Sequence, residues 1–82
     1  MAEIKISTGL SGRLTAAFLF RPYLVSKVKS IEGYRWHPKE KYWSFPNSIE
    51  VLKALIRLFR DEDIQIDPEL ISEYLDMFSG NV

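Results

Sequence analysis

Arg35, His37, Lys39, Lys41 and Tyr42 crowd into one short stretch, and Arg21, Lys27 and Lys29 precede them closely. Guanidinium and ammonium groups hold phosphates, and exposed tyrosine or arginine planes stack on unpaired bases. Side chains of these types at this density equip a chain to grip a nucleic-acid backbone, so these eight are the candidate DNA-binding residues. Each also has a structural use. Lysines at a hairpin tip guard an edge strand against pairing with another chain, and lysines late in a helix complement its macrodipole.

Catalysis lacks its parts. The chain has one histidine and no cysteine, and it contains no Gly-x-x-x-x-Gly-Lys loop, no Gly-x-Ser-x-Gly elbow and no His-Glu-x-x-His. A carboxylate pair would have to come from Asp61-Glu62-Asp63 or the last helix, where turn and capping roles account for the acids. His37 beside Pro38 reads as a surface residue, and a metal site needs partners the chain does not offer. The expectation is a protein with no catalytic residues, no metal and no cofactor.

The element that must position the basic residues is Gly33 to Pro46, which reads as a β-hairpin. Tyr34 to His37 and Lys41 to Phe45 alternate large apolar with polar side chains, the two-residue period of a strand. Pro38 to Lys41 makes a turn of common length, with proline pre-set for its start. In that register His37 faces Tyr42, Trp36 faces Trp43 and Tyr34 faces Phe45. The face with Tyr34, Trp36, Trp43 and Phe45 is expected to be core, and loss of either tryptophan is expected to unfold the domain. Arg35, His37, Tyr42 and Ser44 form the expected functional face.

Around the hairpin the chain alternates strand and helix patterns. Glu3 to Ser7 and Arg13 to Phe20 form a first hairpin about Thr8 to Gly12, with Leu14, Ala16, Phe18 and Phe20 inward. Ala17 and Leu19 fall on a less polar opposite face. Pro22 starts a helix with Leu24, Val25, Val28 and Ile31 on its apolar stripe and Gly33 as C-terminal cap. Asn47 to Glu50 caps a second, strongly apolar helix to about Arg60. Ile64-Gln65-Ile66 is a short strand, and Asp67-Pro68 opens a third helix ending at Ser79-Gly80-Asn81. The order predicts a two-layer α+β fold, a mainly antiparallel sheet (ββαββαβ) with helices on one face and a C-terminal helix. Residues 1–68 make the α+β domain, and residues 69–82 are its last helix and tail or the start of a connection.

Composition bounds the partners. At 46% apolar and 27% charged the chain is an ordinary globular domain, whose 82 residues bury a limited core. The absence of cysteine fits a reducing compartment. No apolar run approaches a bilayer's thickness, and Met-Ala-Glu-Ile-Lys lacks a signal peptide's layout, so a cytoplasmic protein without a membrane partner is expected. The net charge of zero conceals a dipole. Residues 13–43 hold seven basic against two acidic residues, a net +5, and residues 44–82 hold three against eight, a net −5. Such a chain can turn a basic face to DNA while staying neutral. The alternative is a protein–protein interaction or oligomerisation module using the apolar excess of the second and third helices.

The run Phe18-x-Phe20-x-Pro22-Tyr23-Leu24-Val25-x-x-Val28-Lys29-x-Ile31-x-Gly33-x-Arg35-Trp36-x-Pro38-x-x-Lys41-x-Trp43-x-Phe45-Pro46 resembles a small domain that precedes the catalytic parts of some tyrosine recombinases (phage-type integrases). It is also similar to the HARP domain of annealing helicases. The resemblance covers about residues 13–60, with Lys29, Arg35, Lys41, Trp43 and Phe45 its most specific positions. It implies a non-catalytic, DNA-engaging accessory of an integrase-like parent, with a taste for single-stranded or branched DNA. Trp36, Trp43 and Phe45 match the family's core aromatics, and Lys29, Arg35 and Lys41 its basic positions. Where HARP domains usually carry an acid and a tyrosine, this chain has His37 and Trp36, which fit the recombinase-associated version better. Recombinase catalytic residues and helicase motor motifs do not occur in these residues.

Overall fold

The structure is a computed structural model that describes residues 2–9 and 12–75. Five strands and three helices follow one another as β1 (Glu3–Thr8), β2 (Leu14–Ala17), α1 (Pro22–Val28), β3 (Arg35–His37), β4 (Tyr42–Phe45), α2 (Ile49–Leu58), β5 (Asp63–Ile66) and α3 (Pro68–Glu73). They form an α+β fold around one five-stranded mixed sheet ordered β3-β4-β2-β1-β5. The β1–β2, β2–β4 and β3–β4 pairs are antiparallel, and β5 returns to lie parallel to β1. A parallel partner needs a crossover, and the stretch from β2 to β5, helices included, supplies it.

Because residues paired across strands point to the same side, the register divides the sheet into two faces. Ile6, Ala16 and Trp43 share one row, and Leu14 faces Phe45 in the next. On this side Ile4, Ile6, Leu14, Ala16 and Phe45 are buried with Leu24 and Val28 of α1, Leu52 and Leu55 of α2, Phe59 beyond it, and Leu70 of α3. All three helices therefore cover the same face. The opposite face carries Lys5, Ser7, Thr15, Ala17, Tyr42, Ser44, Arg35 and His37, and among the described residues no helix lies over it.

Local chemistry sets the helix ends. Ser48 accepts a hydrogen bond from the Val51 amide and caps α2, with Glu50 in the first turn. Asp67 caps α3 by accepting from the Glu69 amide and also accepts from the Ser7 hydroxyl, tying α3 to β1. The carboxylate of Glu62 accepts from the Ala2 amide at 2.8 Å and from the Tyr23 hydroxyl at 3.3 Å. An acidic residue that sequence patterning treats as part of a turn thus clamps the start of β1 to α1. Tyr74 reaches the Asn47 side chain, whose amide donates to the Gly12 carbonyl.

Several expectations are corrected. The second strand stops at Ala17 rather than Phe20: its pairing with β4 ends at Ala16–Trp43, and the chain must turn through extended Arg21 into Pro22. Phe20, expected in the core, is 71% exposed, and Leu19 is exposed beside it. Helix α1 ends at Val28, and tighter turns carry the chain through Ser30 and Ile31. Gly33, at φ 88°, serves the next corner, where a Cβ would lie 2.8 Å from the Pro46 ring. The expected end of the third helix at Ser79-Gly80-Asn81, and Leu10 and Ser11 of the first turn, lie outside the described residues.

The largest correction concerns the hairpin. The register His37–Tyr42 and Trp36–Trp43 is as expected, but Trp36 is 47% exposed and Tyr34 is exposed as well. No residue of β3 belongs to the buried core. The edge strand is left largely uncovered: α1 buries only Leu24 and Val28, and the turn after it only Ile31. Replacement of Trp36 is accordingly expected to leave the domain folded. Phe45→Ala should cost about 3–5 kcal/mol and Trp36→Ala about 1–2 kcal/mol, read from urea unfolding.

Tyr23 and Tyr74 hold their protons above the ordinary tyrosine range, in each case first through desolvation and then through nearby carboxylates, Glu62 for Tyr23 and Glu73 with Glu50 for Tyr74. A folded-state value above the unfolded one gives stability that is complete below about pH 10 and disappears as pH rises through the raised value. Phenolate absorbance should show two late-titrating tyrosines, and Tyr23→Phe should remove one of them.

Candidate nucleic-acid interface

The hairpin presents two different surfaces. On the helix side, Trp36 packs on Trp43 with ring centroids 5.0 Å apart and Tyr34 packs on Trp43 at 5.9 Å, both tilted. Trp43 is half-buried and anchors the other two. This tier of rings faces the Phe18-Leu19-Phe20-Arg21 segment and the Val25 and Lys29 side of α1 across a cleft of about 1220 Å³. That exceeds the ~300–1,000 Å³ of ordinary small-molecule pockets and suits an extended ligand. Among the described residues Arg21, Lys29 and Lys41 line the cleft, which continues round the end of β2, past Ala17, to Lys5 and Glu3 on the sheet's other face.

The turn of the hairpin brings Lys41 there. The Lys41 amide donates to the His37 carbonyl, and Lys41 itself adopts φ 64°, a left-handed conformation that closes the loop. Arg21 precedes α1 and donates to the Phe20 carbonyl, and Lys29 caps the same helix at its other end. Both side chains are exposed.

The opposite surface holds a polar network beside the exposed Arg35. Ser44 is only 2% exposed, although none of the described helices covers it. Arg13 Nε donates to Ser44 Oγ at 2.9 Å, Arg13 Nη2 donates to the Gly33 carbonyl at 2.7 Å, and His37 Nε2 lies 2.7 Å from Ser44 Oγ. Arginine can only donate, so the serine hydroxyl's own proton is available to His37 Nε2. The Gly9 backbone closes over Thr15 and Tyr42: a Cβ on Gly9 would stand 3.1 Å from Thr15 Cγ2 and 3.3 Å from Tyr42 Oη.

The eight sequence-predicted residues are thus divided. Arg21, Lys29 and Lys41 line the aromatic cleft. Arg35, His37 and Tyr42 lie across the sheet from it, His37 and Tyr42 half-buried with their rings 5.2 Å apart. Lys39 is exposed in the turn. Lys27 is structural, since its ammonium donates to the Leu58 carbonyl at the end of α2 and sits 5.8 Å from the Tyr23 ring. Trp36, Tyr34, Phe20, Leu19 and Lys5 were not among the candidates. The signal for the rings was a shortage: the first helix carries too few apolar residues to bury four large hairpin side chains.

Among the described residues no group of His, Cys, Asp and Glu could hold a metal, and no helix is long and apolar enough to cross a membrane. Ser44→Ala would leave Arg13 Nε and His37 Nε2 without their shared partner; a loss of about 1–2 kcal/mol in urea unfolding is expected. Compared with models of known families, with curated proteins and with solved structures, the chain matches none of them.

Proposed function

We propose that the protein is a non-catalytic DNA-binding domain that takes unpaired bases into the aromatic cleft and holds the adjoining phosphates with Arg21, Lys29 and Lys41. The observation that carries this reading is Trp36, a tryptophan left 47% exposed beside exposed Tyr34 and Phe20 in a cleft with Arg21, Lys29 and Lys41 on its walls. Exposed rings with interleaved cations are the means by which single strands are held without sequence readout, through stacking and phosphate neutralisation. Among the described residues no helix is offered to a major groove with reading residues, so binding tolerates sequence. The resemblance to the recombinase-associated domain points the same way, to an accessory of residues 1–68 with its last helix, working in the cytoplasm beside catalytic regions of an integrase-like parent.

A second reading, docking of a protein partner, is favoured by the exposure of Leu19 and Phe20. The two readings separate in one set of titrations. Labelled single-stranded, duplex and forked DNA at low and moderate salt should show salt-sensitive binding that prefers exposed single strands. Trp36→Ala should weaken it by about tenfold, the worth of one base stack. Lys29→Glu with Lys41→Glu should reduce the salt dependence. Failure to bind all three DNAs at low salt rejects the proposal, and concentration-dependent sedimentation abolished by Leu19→Ser would favour the protein partner.

A further inference from the structure

The open face of the sheet carries a second basic cluster that the cleft does not use. Ser7, Thr15, Ser44 and Arg35 form one row across β1, β2, β4 and β3. Arg13 and His37 both reach the oxygen of Ser44, the cross-strand partner of Arg35. Two guanidiniums and an imidazole therefore gather about one strand position.

Neither guanidinium is neutralised there. The acceptors of Arg13 are a serine hydroxyl and a backbone carbonyl, and Arg35 is exposed with no hydrogen-bonded acceptor among the described residues. Desolvation, and then the charge of Arg35, push Arg13 below its ordinary range, as expected of like charges without a carboxylate between them. Of the carboxylates on this face, Glu3 and Asp63 pair with each other's strands at the far corner, and Asp67 is engaged by the Ser7 hydroxyl and the Glu69 amide, three strand spacings or roughly 14 Å from Arg35. At strand spacings of about 4.8 Å and rises of about 3.3 Å per residue, Glu3 lies roughly 19 Å from Arg35. That is about twice the screening length at physiological salt. Glu32 and Glu40 are exposed in the flanking loops and accept from neither arginine.

Arg13 is held rigidly by two of its five N–H groups, which leaves about three to donate. A fixed guanidinium fork beside a second, free one matches the oxygens of a phosphate. We propose that Arg13 and Arg35, with His37 at the rim, bind a phosphate group on the open face, across β3 from the aromatic cleft. The phosphate is either the terminal group of a nucleotide chain or an internal phosphodiester of a strand that rounds the β3 edge.

The test is side-chain NMR of the ¹⁵N-arginine-labelled full chain, titrated with inorganic phosphate, with a 5′-phosphorylated short oligothymidylate and with its 5′-hydroxyl counterpart. Saturable movement of the Arg13 and Arg35 Nε–H resonances is expected, beyond any caused by chloride at equal ionic strength. Equal movement with both oligonucleotides identifies an internal phosphodiester, and movement with the phosphorylated one alone identifies a terminal phosphate. Arg35→Gln should weaken the interaction by about tenfold. Trp36→Ala should leave the response to inorganic phosphate unchanged, so this site stands or falls separately from the cleft. No movement with any of the three ligands, or movement that chloride reproduces, overturns the proposal.

Discussion

The β2–β4 ladder is the joint on which the fold depends. One hairpin, β1–β2, and another, β3–β4, meet only there within the sheet, through Leu14–Phe45, Thr15–Ser44 and Ala16–Trp43. Its helix-facing side is closed by Leu14 and Phe45, both fully buried. Its open side is stitched by Arg13, which leaves the first hairpin to bond Ser44 and Gly33 of the second. Burial on one side and charge-assisted hydrogen bonds on the other therefore lock the same three residue pairs. Leu14, Ala16 and Phe45 of this joint are buried in one core cluster with Leu24 and Val28 of α1 and Leu52 and Leu55 of α2.

Much of this was legible in the chain. The two-residue alternation in the hairpins and the Ser48 and Asp67 caps are local signals, and they mark elements where the structure has them. The parallel return of β5 onto β1 was not legible, because Ile64 and Ile66 say which side they bury but not against whom. Nor was the length of β2. Phe18 and Phe20 continue the strand's alternation perfectly well, and only the end of the pairing with β4 removes them from it.

The structure redistributes the hairpin's side chains between cover and exposure. Aromatic side chains at strand spacing were assigned to the core because most large apolar residues go there. That inference holds for Phe45 and fails for Trp36 and Tyr34, whose cover would have to come from a helix face that does not extend so far. Conversely, Arg35, His37 and Tyr42 were read as a free outer face, whereas His37 shares a bond network with Ser44 and Arg13. What patterning could not supply was the third dimension of cover: which positions on a face have something above them.

The bond from the Ala2 amide to Glu62 spans sixty positions of sequence, and the parallel pairing of β1 with β5 spans as many. In kinetic terms this makes the first strand the last to be secured. It can pair early with β2, but one of its edges stays open until β5 is available, and the loop that must close there is long. A nascent chain thus exposes that edge until β5 has been made. The alternation of Glu3 and Lys5 with Ile4 and Ile6 keeps charge on one of its faces during that interval.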